Sequence, residues 1–594
     1  MKRNYLLLNM ALLLSATGLA QDRHADLLLD HPNPDRAGRK LSHELDDRSE
    51  LGLPAGDSID DHDQELDVIV QYVSTPGEAD VNRAHMAGAR LRGIGRETHH
   101  GLFRMTKRQA ASLAQDRNVA YVTPDREVRA SGLLDYSIVT VGATIAQTYG
   151  YDGRGIGVAV IDSGVASEQA DLKNSACATS RVVYSADLVT WEPNGWDPYG
   201  HGTHVAGIIG GNGICTAKQQ GTAYKGLPGI APQVNLVSLR ALDSKGVGKD
   251  SSVIAAIDRA IALKKTYNIR VMNLSLGRIV KESYKLDPLC QAVERAWKAG
   301  IVVVVAAGNN GRDNSKNTSG YSTITSPGND PFVITVGAMR DMKTPFKGDD
   351  QISTFSSKGP TLLDQYVKPD LVAPGNMVTS LKPFGTYLQN TYPQNTIAGA
   401  WDTGVPYEAY FILSGTSMAA PMVSGAASLL LQKDPSLTPD QVKARLMKTA
   451  TKSFPSTSTW TDPKTRKIYQ ANADIFTVGA GYLDIWAALS NGEKIASNQS
   501  AKSPKVVLKD GNVVLVNDSS NTNGMSVIWG TNVIWGTSVV WGSNVVVSGS
   551  SVVWGSNVVW GTSAMQGFSV IWGSSVVWGA ANPFSEATAV VGEP

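Results

Sequence analysis

GVAVIDSG, residues 157–164, decides the fold. An unbroken apolar run ends in Asp162 and a Ser-Gly turn. A strand with one solvated face alternates apolar and polar residues, whereas this one must be covered on both faces. The same pattern recurs in VNLVSLRAL (234–242), IRVMNLSL (269–276), IVVVVAAG (301–308) and FVITVGA (332–338). Helical patterns at 201–210, 251–264, 288–299 and 417–432 fall between or after these runs. Buried strands joined through helices predict an α/β parallel sheet with helices on both faces, over about 136–490. Functional loops of such sheets gather at the carboxyl ends of the strands. Asp162 lies at one such end and Asn309 just past another.

Four residues suit nucleophilic chemistry. Asp162, leaving a strand at a glycine turn, is placed to orient an imidazole, although Asp-Ser-Gly is also a common turn. His201 opens HGTHVAGIIGG, where Gly200 and Gly202 permit close backbone approach. His204 follows one turn later, but the pair lacks the glutamate of a metal-binding H-E-x-x-H and any evident third ligand. His201 therefore reads as a base and His204 as its structural partner. Asn309, in GNNG (308–311), can turn its amide into a cleft or simply adopt a left-handed turn. Ser417 lies in GTSMAAP (415–421), between Gly415 and a helix of small and apolar residues. A serine hydroxyl is a weak nucleophile unless a base takes its proton and donors hold the resulting oxyanion. The Ser417 N–H at a helix start, with the Asn309 amide, suits that task, while alone Ser417 would pass for a cap. Pro421 is expected to be tolerated near the first turn.

Taken together, VAVIDSGV (158–165), HGTHVAG (201–207), MNLSLG (272–277), AAGN (306–309) and GTSMAAP resemble the subtilisin-like serine proteases, or subtilases, in the order Asp, His, Ser. KPDLVAPG (368–375) and GAGYLDIWAAL (479–489) resemble framework segments of that family. The resemblance implies Asp162 as orienting acid, His201 as general base and acid, Ser417 as nucleophile and Asn309 as oxyanion donor. It implies hydrolysis of peptide bonds through an acyl-enzyme. It further implies that substrate pairs as an extra strand with Ser275-Leu276-Gly277 and Gly246-Val247-Gly248. Gly277, Gly308 and Gly320 would then line a pocket for a large apolar side chain, with no acid to select Lys or Arg. No cofactor is expected. The family's calcium loop after the histidine helix has no convincing carboxylate cluster at 210–232, so a structural calcium lacks a clear ligand set there. An insertion at about 380–410 precedes Ser417 and is expected to edge the cleft.

The rest of the 594-residue chain is organised around this domain. Lys2 and Arg3, the apolar run Tyr5–Leu14 and small residues to Ala20 read as a secretory signal at 1–20, hence an exported protein. No later run is long enough to span a membrane as a helix. Residues 21–63 read as a flexible leader. In 64–130, strands at 67–73, 101–106 and 119–128 alternate with helices at 78–91 and 107–115, predicting a small two-layer α+β domain. That unit resembles the inhibitor-type propeptide of subtilases, which implies a self-processed zymogen cleaved near 129–136. Residues 491–526 read as a linker with a hairpin at 505–516. From 527 to 579, Trp-Gly recurs at Trp529, Trp535, Trp541, Trp554, Trp560, Trp572 and Trp578, mostly every six residues. An even period repeats each strand face, so a β-rich array is expected, with 580–594 as a tail.

Cys177 and Cys215 flank the histidine motif and are placed to pair, Cys290 reads as a buried thiol, and the odd count leaves the pairing open. The 54 basic and 53 acidic residues nearly cancel, which weighs against a nucleic-acid partner. Protein or peptide substrates, the chain's own propeptide, and cell-surface contact through the array are the expected partners. The rival reading is a surface-binding or adhesive protein whose main part is the array. A catalytically dead scaffold is disfavoured because every polar catalytic position is present.

Overall fold

ELDVIVQY buries Val68, Val70 and Tyr72, every second residue, and forms strand β1 (Glu65–Tyr72). The protein is described here by a computed structural model, covering residues 40–41, 45, 65–95, 99–125, 135–190, 196–219, 226–315, 317–397, 410–497, 500–509, 512–516, 545–547 and 592–593. The chain divides into two units, Met1–Gly132 and Leu133–Pro594. In the first, β1 is followed by α1 (Glu78–Met86), β2 (Arg90–Gly95), β3 (His100–Thr106), α2 (Lys107–Leu113) and β4 (Val119–Pro124). The four strands pair antiparallel in the order β2-β3-β1-β4. Thr106 and Gln109 cap α2 reciprocally: Thr106 N–H donates to Gln109 Oε1 at 2.9 Å and Gln109 N–H to Thr106 Oγ1 at 3.3 Å. The helix expected over 78–91 stops at Met86, and 90–95 is a strand instead. In RLRGIG the exposed and half-buried residues alternate with period two, which outweighs the helical spacing upstream.

The second unit is built on an eight-stranded sheet. Its central strand β5 (Gly157–Asp162) is buried at all six positions. The others are β6 (Val182–Asp187), β7 (Asn235–Arg240), β8 (Ile269–Leu274), β9 (Val302–Ala306), β10 (Ile334–Arg340), β11 (Gln351–Ile352) and β12 (Leu371–Pro374). The order is β11-β10-β9-β8-β5-β7-β6, with β12 also on β10, and every pairing is parallel except β10 with β11. Strand β6, which the sequence pattern did not mark, is an edge strand with little of its surface buried. Chain order reverses at β5, since β7 lies on one side and β8 on the other. Crevices outside strand carboxyl ends form at such reversals.

Helices α3 (His201–Gly210), α4 (Asp250–Tyr267), α5 (Pro288–Lys298), α6 (Thr416–Lys433) and α7 (Pro439–Thr449) cover the sheet. Helix α6 packs on β8, β9, β10 and β12, and α3 packs on both β5 and α6. The two helices that start with candidate residues are therefore neighbours in one layer. A smaller sheet of β13 (Val378–Leu381), β14 (Thr396–Ile397) and β15 (Tyr410–Leu413) leads into α6. A hairpin of β16 (Thr457–Thr461) and β17 (Ile468–Asn472) follows.

Packed chain continues past residue 490. Ser503 Oγ donates to Asp370 Oδ1 at 2.6 Å, and buried Lys368 and Lys443 pair with the same carboxylate at 2.7 and 3.1 Å. The hairpin expected at 505–516 forms from β18 (Lys505–Lys509) and β19 (Asn512–Val516), and β20 (Val545–Val547) adds parallel to β19. The signal at 1–20, most of the leader, most of the 129–136 processing region and the array other than 545–547 lie outside the described residues. Among the described residues no helix is long and apolar enough to cross a membrane.

Cys177 and Cys215 are joined by a disulfide with Cα atoms 5.5 Å apart, and Cys290 is a buried free thiol. Burial pushes the Cys290 thiol well above its usual range, so it stays neutral. The disulfide closes a loop with a sequence separation of 38 that contains β6 and α3. Loop-closure entropy for that length is worth about 4 kcal/mol. Reduction is expected to lower the melting temperature measurably in thermal unfolding with and without a reductant. Coincident curves would remove the bond from the stability account.

Candidate active site

Asp162 is the last residue of β5 and is fully buried. His201 Nδ1 lies 2.8 Å from Asp162 Oδ1, which also accepts from Ser163 N–H at 2.8 Å. A carboxylate only accepts, so Nδ1 carries the proton and Nε2 keeps its lone pair. The bond requires the start of α3 to approach the turn after β5. A Cβ at Gly202 would lie 2.1 Å from the Gly164 carbonyl oxygen, so only glycine fits there. Buried Asp197 fixes both sides of this contact. It accepts from Ser163 Oγ at 2.8 Å, Gly200 N–H at 2.7 Å and Thr203 N–H at 2.8 Å. His201 is the one residue of α3 that is not buried. Burial disfavours its charged form, but the Asp162 carboxylate and, more weakly, Asp197 outweigh that and raise its pKa above the ordinary histidine value.

His204 is fully buried, and Nε2 donates to the Phe411 carbonyl at 3.0 Å. Burial, then the neighbouring His201, pushes its pKa down to about 3, so it is neutral and occupied within the packing. That is the place of a structural residue.

Ser417 is the second residue of α6 and the one part-exposed position among buried Thr416, Met418, Ala419 and Ala420. Gly415 precedes the helix at φ 152°, a backbone that favours glycine, with Asn309 Nδ2 3.1 Å from where a Cβ would stand. Ser417 Oγ donates to the Ser275 carbonyl at 3.1 Å and not to His201. Pro421 lies beyond the first turn, contrary to expectation, and its missing N–H leaves the Ser417 carbonyl without its helical partner. Ser275 Oγ fills the gap, donating to that carbonyl at 2.8 Å. Asn309 Oδ1 accepts from Thr416 N–H at 2.9 Å and Thr416 Oγ1 at 3.1 Å. With the oxygen spent, the amide orientation is set and Nδ2 is the group left for a ligand.

The remaining sequence-selected residues fall in three places. Ser275, Leu276 and Gly277 continue from β8, and a Cβ at Gly277 would meet Thr325 Oγ1 at 2.5 Å. Gly308 converges on the same threonine, where an added Cβ would lie 2.7 Å from its Cγ2, and the Gly308 N–H donates to Thr416 Oγ1 at 3.0 Å. Gly320 packs on the Gly311 carbonyl. Gly246, Val247 and Gly248 form a turn bridged to Leu242, with Gly246 against the Tyr199 ring and Val247 exposed. Tyr199 lies 6.3 Å from the His201 ring and 5.7 Å from Tyr387. Tyr387 belongs to the insertion, which is pinned beside His201 by Tyr387 N–H to Pro198 O at 3.0 Å and Leu388 N–H to Tyr199 O at 3.1 Å. Sequence reasoning missed Thr416, Thr325, Ser163, Asp197 and Tyr199. Thr416 and Ser163 sit inside quoted motifs, so adjacency was the available signal. Asp197 and Thr325 gave none.

Residues 153–481, more than half of the chain, match the model of the subtilase family, peptidase S8. Serine protease AprX of Bacillus subtilis (strain 168) is 36% identical over 347 residues, 56% of this chain and 70% of that protein. Subtilisin DY of Bacillus licheniformis is 37% identical over 317 residues, 53% of this chain and 91% of that protein. Subtilisin E of Bacillus subtilis (strain 168) is 34% identical over 351 residues, 58% of this chain and 74% of that protein.

The electrostatics of His201 can be read directly. In the full chain carrying Ser417→Ala, the imidazole is expected to titrate above about 6.5, the ordinary histidine value. Adding Asp162→Asn removes the attraction and keeps the burial, so the titration should fall below that value. NMR of the labelled ring carbons gives both numbers, and a pKa indifferent to Asp162→Asn would refute the assignment of cause.

Proposed function

The chain belongs to the subtilase family and is a serine endopeptidase, and we propose that Ser417 is its nucleophile, His201 its general base and acid, Asp162 the orienting carboxylate and Asn309 an oxyanion donor. The observation that carries this reading is the 2.8 Å bond that His201 Nδ1 donates to Asp162 Oδ1, which leaves Nε2 as a base. On substrate binding the Ser417 hydroxyl turns from the Ser275 carbonyl to His201 Nε2. Catalytic hydrogen bonds are commonly looser before substrate binds, so the resting bond is no obstacle. Oγ attacks the peptide carbonyl carbon as its proton passes to Nε2, and the carbonyl electrons move onto oxygen. Asn309 Nδ2 and the Ser417 N–H, one of the first-turn amides without a helical acceptor, hold that oxyanion. The imidazolium, stabilised by Asp162, then protonates the departing amine nitrogen as the C–N bond breaks. Water, deprotonated by His201 Nε2, attacks the ester carbon, and the imidazolium returns that proton to Ser417 Oγ as the C–Oγ bond breaks.

Substrate lies extended against Ser275–Gly277 and Gly246–Gly248. The groups nearest Gly277 and Gly308 are Thr325, Ser326 and Ser357, all neutral, which supports a preference for large apolar side chains on the acyl side of the cut. No cofactor takes part in these steps. The unit at 64–130 acts as folding aid and temporary inhibitor, removed by self-cleavage near 129–136, and the signal at 1–20 directs export. The hexapeptide array favours a second role in surface contact, separable by deleting 527–579 and comparing peptidase activity with surface retention.

Purified precursor and its Ser417→Ala variant are compared for maturation and for cleavage of a peptide library. Ser417→Ala should remain unprocessed and lose on the order of 10^6 in turnover, the loss found in subtilisin itself. Removing one oxyanion donor in subtilisin costs about 100- to 1,000-fold, and Asn309→Ala should match that. Unchanged peptidase activity in Ser417→Ala would end the reading. Thr416→Val deletes the hydroxyl that joins Gly308 to Asn309 and should lower kcat about tenfold with little change in KM. Since the reaction needs neutral His201 and its pKa is raised, kcat/KM should fall as pH drops, with the midpoint above about 6.5.

A further inference from the structure

Glu593 is 1% exposed, although it follows the whole repeat array in the chain. Its Oε1 accepts from Thr354 N–H at 2.9 Å and Thr354 Oγ1 at 2.5 Å, and pairs with Arg312 Nη2. Its backbone is matched as well. Asn376 Nδ2 donates to the Glu593 carbonyl at 2.7 Å, and Glu593 N–H donates to Asn376 Oδ1 at 2.6 Å. One side-chain amide thus pairs with both backbone groups of a single residue, as a neighbouring strand would. The residue before it must be small, because a Cβ on Gly592 would lie 2.5 Å from Ser414 Oγ and 2.7 Å from Met377 Cγ.

The receiving residues are held by contacts of their own. The Arg312 guanidinium lies 3.9 Å from the Trp460 ring centre and 4.9 Å from that of Tyr469, two residues paired across the β16–β17 hairpin. Arg312 Nε donates to Thr354 Oγ1 at 2.8 Å. A stacked, mostly buried guanidinium calls for an anion, and its fork suits a carboxylate. The receptor draws on the site's own loops. Arg312 stands three residues after Asn309, Ser414 three before Ser417, and Gly415 N–H donates to Gly375 O at 2.7 Å next to Asn376.

We propose that Arg312, Thr354 and Asn376 form a binding site for an acidic Gly-Glu peptide segment, filled in cis by Gly592–Glu593, which clamps the chain beyond the Trp-Gly repeats to the loops carrying Asn309 and Ser417. The clamp is independent of peptide cleavage and goes beyond the catalytic reading.

Hydrogen exchange on the full chain, with Ser417→Ala to prevent self-cleavage, tests it. Glu593→Ala should speed exchange of the Thr354 amide about tenfold or more, the factor for losing a charge-assisted bond, and deprotect the amide of residue 593. Arg312→Ala should deprotect the Glu593 amide equally, and the double variant should add nothing. Glu593 lies outside the sheet, so its substitution leaves the fold intact, as circular dichroism will verify. Millimolar peptide AVVGEP, the sequence of 589–594, should restore Thr354 protection to Glu593→Ala, whereas AVVGQP should not. Thr354 exchange unaffected by Glu593→Ala, or equal protection by both peptides, would overturn the proposal.

Discussion

The hydrogen bond that His201 donates to Asp162 ties the layer of helices to the sheet beneath it. Asp162 is covalently part of the central strand, and His201 opens the helix that packs on that strand. Their contact sets how near the two layers come, and the glycine at 202 is the backbone's answer to that distance. Asp197 then acts as a bracket, taking one bond from the strand's turn and two from the start of the helix. The helix carrying Ser417 is placed beside this joint, because α6 packs on α3 as well as on the sheet.

That joint is electrostatically lopsided. Asp162 Oδ2 is buried without a hydrogen-bond partner, and among the described residues His201 is its one ionisable partner. An unsatisfied buried acceptor costs about 1–3 kcal/mol, more when charged. A carboxylate already neutralised by lysine or arginine would attract the imidazole less. Leaving Asp162 with no other cation keeps its field directed at His201, and the raised histidine pKa follows from it.

Much of this was legible in the sequence, for a physical reason. A strand buried on both faces is uninterruptedly apolar, so β5, β8, β9 and β10 stood out, and Asp162 and Asn309 followed as the polar residues at their ends. Edge strands lack that signature, which is why Arg90–Gly95 and Val182–Asp187 escaped. Contacts between distant segments leave no periodic trace either. Asp197 reads as a loop aspartate, and Thr325 as one threonine among several, until the fold brings them to His201's turn and to Gly308. Pro421 was visible but misplaced, since its consequence appears only when Ser275 is seen to take the carbonyl it frees.

The proline and the asparagine solve one problem from two sides. In the proposed mechanism a nucleophile at a helix start must turn freely at its side chain while its backbone stays fixed, because the same residue's N–H would receive the oxyanion. Pro421 removes one helical bond from Ser417, and Ser275 Oγ replaces it with a bond anchored in β8's carboxyl end. Thr416 binds Asn309 Oδ1 and receives Gly308 N–H, fixing the Asn309 amide to the same turn. Asn310 N–H and Gly311 N–H in turn bond Ser357 Oγ and Phe355 O, so the 308–312 loop leans on 354–357. Glu593 joins those two loops through Arg312 and Thr354 and bonds Asn376, while Gly592 packs against Ser414, three residues before Ser417. A residue beyond the repeat array therefore braces, in the proposed clamp, the loops that carry Asn309 and Ser417.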